Sequence, residues 1–126
     1  MPASARLFLS LGAALAAMAV VLGAFGAHAL KGRLPAEMLA VYHTAVEYHF
    51  WHALGLLAVG LACLHLPDSF WLRAAGWLLA AGVLLFSGSL YLLVLSGARW
   101  LGAVTPFGGL AFVLGWLAFV IAVLRA

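Results

Sequence analysis

The side chains able to do chemistry in this 126-residue chain are few: five histidines, three tyrosines, three carboxylates and one cysteine. Two of the histidines share a pattern. Ala45, His49, His52, Leu56, Val59 and Cys63 follow a 4-3-4-3-4 spacing, which turns both imidazoles to one side of a helix. Glu47 lies about 200° around that helix from His49 but only about 40° from His43. It is therefore expected to pair with His43, or with Arg33, rather than with the histidine seam. Imidazoles in this arrangement support three chemistries. They can donate to carbonyls and hydroxyls of neighbouring helices and fix their register. They can hold a metal, with His28 as a third ligand, or face His28 across a haem. They can also line a proton or small-solute path with glutamate and tyrosine. Nucleophilic catalysis has no support, because Cys63 falls at the other end of its segment, in apolar surroundings that leave a thiol inert.

The elements that must position these groups follow from composition. Hydrophobic residues make up 68% of the chain and charged residues 7%, against about 25% charged in an average soluble domain. Residues 7–30, 48–67, 74–98 and 100–124 contain no Lys, Arg, Asp or Glu. Each run reaches the roughly 20 residues a helix needs to cross about 30 Å of hydrocarbon. A soluble enzyme and a disordered chain are both excluded. The expected fold is all-α, a single four-transmembrane-helix bundle over residues 1–126 with spans near 7–27, 45–64, 74–95 and 106–124. Ala27-His28-Ala29 has the small-x-small form of a signal-peptide cleavage site, but the apolar run from Leu7 is too long for a signal core, so cleavage is not expected. The net charge of +3 is spread over several segments and does not point to nucleic acid.

Local signals set the boundaries. Pro35 suits a helix opening, and residues 36–44 read as an amphipathic stretch running unbroken into the second span. Phe70-Trp71-Leu72-Arg73 reads as an interfacial anchor, and the five tryptophans as belt and packing residues. Thr105-Pro106 reads as a helix start, Thr105 capping and Pro106 in the first turn. Four crossings place Arg6, Arg73 and Arg125 on one side, side A, and Lys31, Arg33 and Arg99 on the other, side B. Three basic residues each way leave orientation open. Alternating helix direction then gathers His28, Glu47, His49, His52, Ser87, Tyr91 and Thr105 towards side B as a candidate polar, ligand-binding cluster. Ionisable groups within a span are expensive unless paired, which marks such a cluster as a site.

Two narrow stripes of small residues indicate how helices meet. Gly12, Ala16, Ala19, Gly23 and Gly26 form one, and Gly108, Ala111, Gly115, Ala118 and Ala122 the other. Close backbone approach of this kind holds helices together in lipid. The first and fourth spans are accordingly expected to be antiparallel neighbours.

Four ordered motifs carry a resemblance: Gly23-Ala24-Phe25-Gly26-Ala27-His28-Ala29-Leu30, Thr44-Ala45-Val46-Glu47-Tyr48-His49-Phe50-Trp51-His52-Ala53-Leu54, Gly88-Ser89-Leu90-Tyr91, and Leu101-Gly102-Ala103-Val104-Thr105-Pro106-Phe107-Gly108-Gly109. Together, over nearly the whole chain, they resemble the family known as domain of unknown function 423. The resemblance implies a small four-helix bacterial membrane protein, with animal relatives and no assigned reaction. It also implies Gln at the position of His49 in many members, which favours His28 with His52 as metal ligands over His49 with His52. His28 and His52, on helices joined by a short loop, are expected to approach closely enough to share a partner.

The expectation is thus a multi-pass protein of the bacterial inner membrane, non-enzymatic, binding a ligand or partner or supporting assembly through the side B cluster. A metal- or haem-binding redox accessory and an oligomeric proton or small-solute transporter are the alternatives. The lipid bilayer is its medium, and a second copy or another membrane protein the candidate partner.

Overall fold

A computed structural model describes all 126 residues and is entirely helical. Four long helices follow one another: α1 (Ala3–Leu30), α2 (Ala36–Cys63), α3 (Phe70–Ser96) and α4 (Thr105–Leu124), the last preceded by a 3₁₀ turn over Arg99–Ala103. The α1, α3 and α4 segments are long and apolar enough to cross a membrane. The 28-residue α2 is equally long, but it carries Glu37, His43, Thr44, Glu47 and His49 in its first half and His52 just past the middle, so composition alone does not place it with them.

Short connections end each helix for local reasons. Gly32 and Gly97 adopt φ of +83° and +72°, the left-handed region in which a Cβ would clash with the backbone. Gly97 thereby caps α3, its N–H returning to the Leu93 carbonyl. Pro35 stands just before α2, with extended backbone. The Phe70–Arg73 stretch is already the first turn of α3, capped by Ser69, whose hydroxyl accepts from the Leu72 N–H at 3.2 Å. Pro106 lies in the first turn of α4 as expected, but Thr105 does not cap it. Its hydroxyl is drawn sideways to Ser89 instead, because an interhelical partner is available there.

The helices pack as two hairpins, α1 on α2 and α3 on α4, joined where α2 packs on α3. Both small-residue stripes are packing seams, but each faces its hairpin partner. An added Cβ at Gly12 would stand 2.9 Å from the Ala53 carbonyl oxygen and the Leu57 nitrogen of α2. One at Gly115 would stand 2.8 Å from Leu79 of α3. The expected α1–α4 pairing does not form; α2 and α3 lie between, since the short connections let each stripe meet the nearest chain. The core joins Phe8, Leu56, Val59, Leu72, Leu79 and Phe112 from all four helices. Large apolar side chains also cover the outside, among them Val21, Leu84, Leu95 and Phe107, an outer surface suited to lipid. Only 17% of the α1 apolar window is buried, against 39% and 33% for those of α3 and α4, which makes α1 the edge helix.

Candidate functional site

Five polar links tie neighbouring helices. The Tyr42 hydroxyl donates to the Leu22 carbonyl, α2 to α1. Ser87, fully buried, donates to the Ala45 carbonyl at 2.7 Å, α3 to α2. His49 Nδ1 and the Tyr91 hydroxyl are 2.8 Å apart, again between α2 and α3. The Ser89 and Thr105 hydroxyls meet at 2.7 Å between α3 and α4. Trp116 Nε1 donates to His52 Nε2 at 3.0 Å between α4 and α2. Ala45 and His49 are one turn apart on α2, and Ser87 and Tyr91 one turn apart on α3, so two of these bonds lie side by side. A π-turn over Val83–Ser87 precedes them. The extra residue in that turn rotates the remainder of α3 about its axis, and such turns recur at functional sites.

The two histidines of the seam differ sharply. His52 is fully occupied. Trp N–H can only donate and a carbonyl can only accept, so Nε2 receives from Trp116 while Nδ1–H donates to the Tyr48 carbonyl at 2.7 Å. The ring is thereby the neutral Nδ1–H tautomer, and it stacks on Phe112 with centroids 3.6 Å apart. His49 is half occupied. It is 1% exposed, and its Nε2 has no hydrogen-bond partner. The Leu15 carbonyl of α1 faces that side of the ring without meeting hydrogen-bond geometry. A buried polar atom left unpaired costs about 1–3 kcal/mol, so it calls for an explanation.

Beside His49 lies a cavity of about 260 Å³ between α1 and α3. Leu15 and Met18 form one wall, Val83 and Leu84 the other, and His49 and Tyr91 are the hydrogen-bonding side chains in its lining. It opens sideways past Met18 and Leu84, which are 52% and 72% exposed. The two walls belong to helices that each pack on α2 and meet one another further along, where Phe8 of α1 lies on Gly76 and against Trp77 of α3, so the slot remains between them beside His49.

The structure brings together His49, His52, Ser87, Tyr91 and Thr105, each in an interhelical bond. It does not bring in His28 or Glu47, both of which are exposed. Glu47 stands in an outer groove with Gly23, Val46 and Trp51, and is paired with neither His43 nor Arg33. The expected meeting of His28 and His52 fails. Gly26 lies against Tyr42 and Gly12 against Ala53, so His28 sits level with the start of α2, roughly 18 Å along the helix pair from His52. The physical reason is register: the stripe of α1 locks onto α2 one turn after another, leaving the end of α1 at the start of α2. No three His, Cys, Asp or Glu side chains converge on a common point, so the expected His28–His52 metal site has no donor set.

Tyr42 and Ser89, polar residues expected at the same side B helix ends, join these links, Tyr42 extending the histidine seam by one step, three residues before Ala45. Two further contributors were not among the expected residues. Trp116 lies past the middle of α4, away from any interfacial belt, and its indole N–H at that depth requires a partner. Tyr48 contributes a backbone carbonyl, which sequence cannot flag.

A match to the family described as Protein of unknown function (DUF423) spans residues 22–109, and so takes in α2, α3 and both flanking turns. The chain belongs to this family. It is 48% identical over 120 residues to the UPF0382 membrane protein YwdK of Bacillus subtilis, covering 95% of this chain and 98% of that protein. It is also 48% identical to the UPF0382 membrane protein SERP0230 of Staphylococcus epidermidis, covering 95% and 97% of the two chains. The UPF0382 membrane protein SSP2132 of Staphylococcus saprophyticus is 46% identical over 116 residues. No solved structure matches the chain. With three helices apolar enough to cross and relatives that are bacterial membrane proteins, it is a multi-pass cell-membrane protein.

Proposed function

We propose that the chain is a four-span membrane protein that binds rather than converts, seating a small apolar molecule with a polar head in the lateral slot between α1 and α3. One observation carries the reading: the unpartnered Nε2 of His49, buried at the edge of a cavity that opens towards lipid. A ligand that meets this nitrogen, or the Tyr91 hydroxyl bonded to the same ring, would relieve the penalty of leaving it dry. The neighbouring links hold the frame. Each interhelical hydrogen bond in a membrane contributes about 0.6 kcal/mol on average, enough to set register while close packing supplies the rest. Treating α2 as the fourth crossing is consistent with the same bonds, because His49 and His52, the deepest of its polar side chains, point inward onto partners.

The test is solvent extraction of protein purified from its own membranes, followed by mass spectrometry. A neutral lipophile is expected to come off the wild type and to be depleted from Gly88→Leu, which fills the slot from α3. Identical extracts from the two would remove the reading. Gly88 suits this purpose, since a Cβ there meets nothing nearer than 3.9 Å and the backbone is helical.

A further inference from the structure

Resting on that binding reading, we infer that the occupant is a lipid-soluble quinone, its ring in the slot and its tail in the bilayer. Three features of the slot select this class.

Depth is the first. His49 is the fourteenth of the 28 residues of α2, and Leu15 and Met18 flank the middle of α1. The slot runs from His49 towards the middle of α1, below the level of the exposed Glu47 two residues earlier, so its inner wall lies away from phospholipid head groups and ester carbonyls, which stay near the interface. A ligand that hydrogen-bonds there must carry its polar atoms into hydrocarbon, as the carbonyl oxygens of a quinone ring do.

The second is the hydrogen-bonding capacity of the His49–Tyr91 pair. Either the Tyr91 O–H donates to Nδ1, leaving Nε2–H as the spare donor, or Nδ1–H donates to the Tyr91 oxygen, leaving Nε2 as a spare acceptor and the phenolic O–H as a spare donor. In the first the Nε2–H faces the Leu15 carbonyl without closing a hydrogen bond and can turn to a ligand carbonyl; in the second the phenolic O–H is the free donor. In the second the pair can also accept from a hydroxyl. A site that changes tautomer to offer a donor or an acceptor fits a head group that exists as carbonyl or hydroxyl, the quinone and quinol forms.

Size is the third. The slot, about 260 Å³, falls just below the range of about 300–1,000 Å³ that encloses drug-sized ligands. It holds a ring and not a whole lipid, and its exposed rim at Met18 and Leu84 gives an aliphatic tail an exit into the acyl phase.

The experiment uses the full chain in phosphatidylethanolamine–phosphatidylglycerol nanodiscs, titrated with a decyl-substituted benzoquinone and, in parallel, with decanol and decanoic acid. The quinone is expected to bind at least about tenfold more tightly than either comparator, the margin of one well-made hydrogen bond. Its carbonyl stretch should shift to lower frequency on binding. That shift should survive in His49→Gln, whose amide retains a donor and an acceptor, and disappear in the double variant His49→Leu with Tyr91→Phe, which removes both donors of the pair. Gly88→Leu should abolish binding while keeping or raising the melting temperature, which separates a filled slot from a failed fold. Equal or tighter binding of decanol or decanoic acid, lost in Gly88→Leu, would overturn the quinone assignment and leave the binding reading standing. Binding of none of the three, or binding unaffected by Gly88→Leu, would overturn both.

Discussion

At the scale of single residues, two buried imidazoles three positions apart have opposite roles. His52 spends both nitrogens on Trp116 and Tyr48 and lies flat on Phe112, so it is a structural tie. Trp116→Phe keeps the ring and removes the N–H, leaving His52 Nε2 buried without a donor. It is expected to lower stability by about 1–3 kcal/mol, read as a lower unfolding midpoint in mild detergent. In a His52→Phe background the same change should cost much less, since the acceptor is gone; a double-mutant cycle with no coupling would show that the bond does not form. His49, by contrast, ties α2 to α3 through one nitrogen and leaves the other without a hydrogen-bond partner.

At the scale of helices, the seams decide what a glycine substitution does. A Cβ at Gly108 would overlap the backbone of Leu85 and Phe86, which cannot rotate aside, whereas one at Gly115 meets the side chain of Leu79. Gly108→Ala should therefore lower the melting temperature more than Gly115→Ala. Gly115→Leu, with far more to accommodate, should open the α3–α4 seam and exceed both. Gly88→Ala should be neutral or raise stability by up to about 0.5–1 kcal/mol, because a helical glycine with free space loses only backbone entropy. A thermal series in which all four behave alike would contradict the seam geometry. The π-turn in α3 belongs to this scale as well: it is where Ser87 turns inward onto Ala45.

At the scale of the whole molecule, contacts group the chain ends. The Ser4 hydroxyl reaches the Pro67 carbonyl, and Arg125 lies over the Trp71 ring at 5.9 Å, so the N-terminus, the α2–α3 connection and the C-terminus occupy one end. In a Cys63→Ala background, single cysteines at Ser4, Asp68 and Arg125 should react with an impermeant thiol reagent from one face of the membrane. Cysteines at Arg33 and Ala98 should react from the other. Arg33 and Asp68 cysteines reacting from the same face would show that α2 does not cross.

The class of molecule is legible in the chain alone. Runs of 20 or more uncharged residues, glycine and proline at their ends, and stripes of small residues are local properties, and helices, turns and close-packing faces arise from them. The same runs mark His49, His52, Ser87, Tyr91 and Thr105, because polar groups inside apolar segments must find partners. Which partners they find is settled by tertiary packing. A stripe states that a helix will pack closely but not on what, so the α1 stripe, expected against the fourth span, meets α2. Periodicity gives depth and face but not the register between helices, so His28 and His52, similar in depth by counting, lie far apart. The indole of Trp116, the carbonyl of Tyr48 and the spare nitrogen of His49 are visible only once register is fixed. Hydrogen-bond partnership depends on atoms a few ångströms apart in space, and residue types along the chain do not encode that distance.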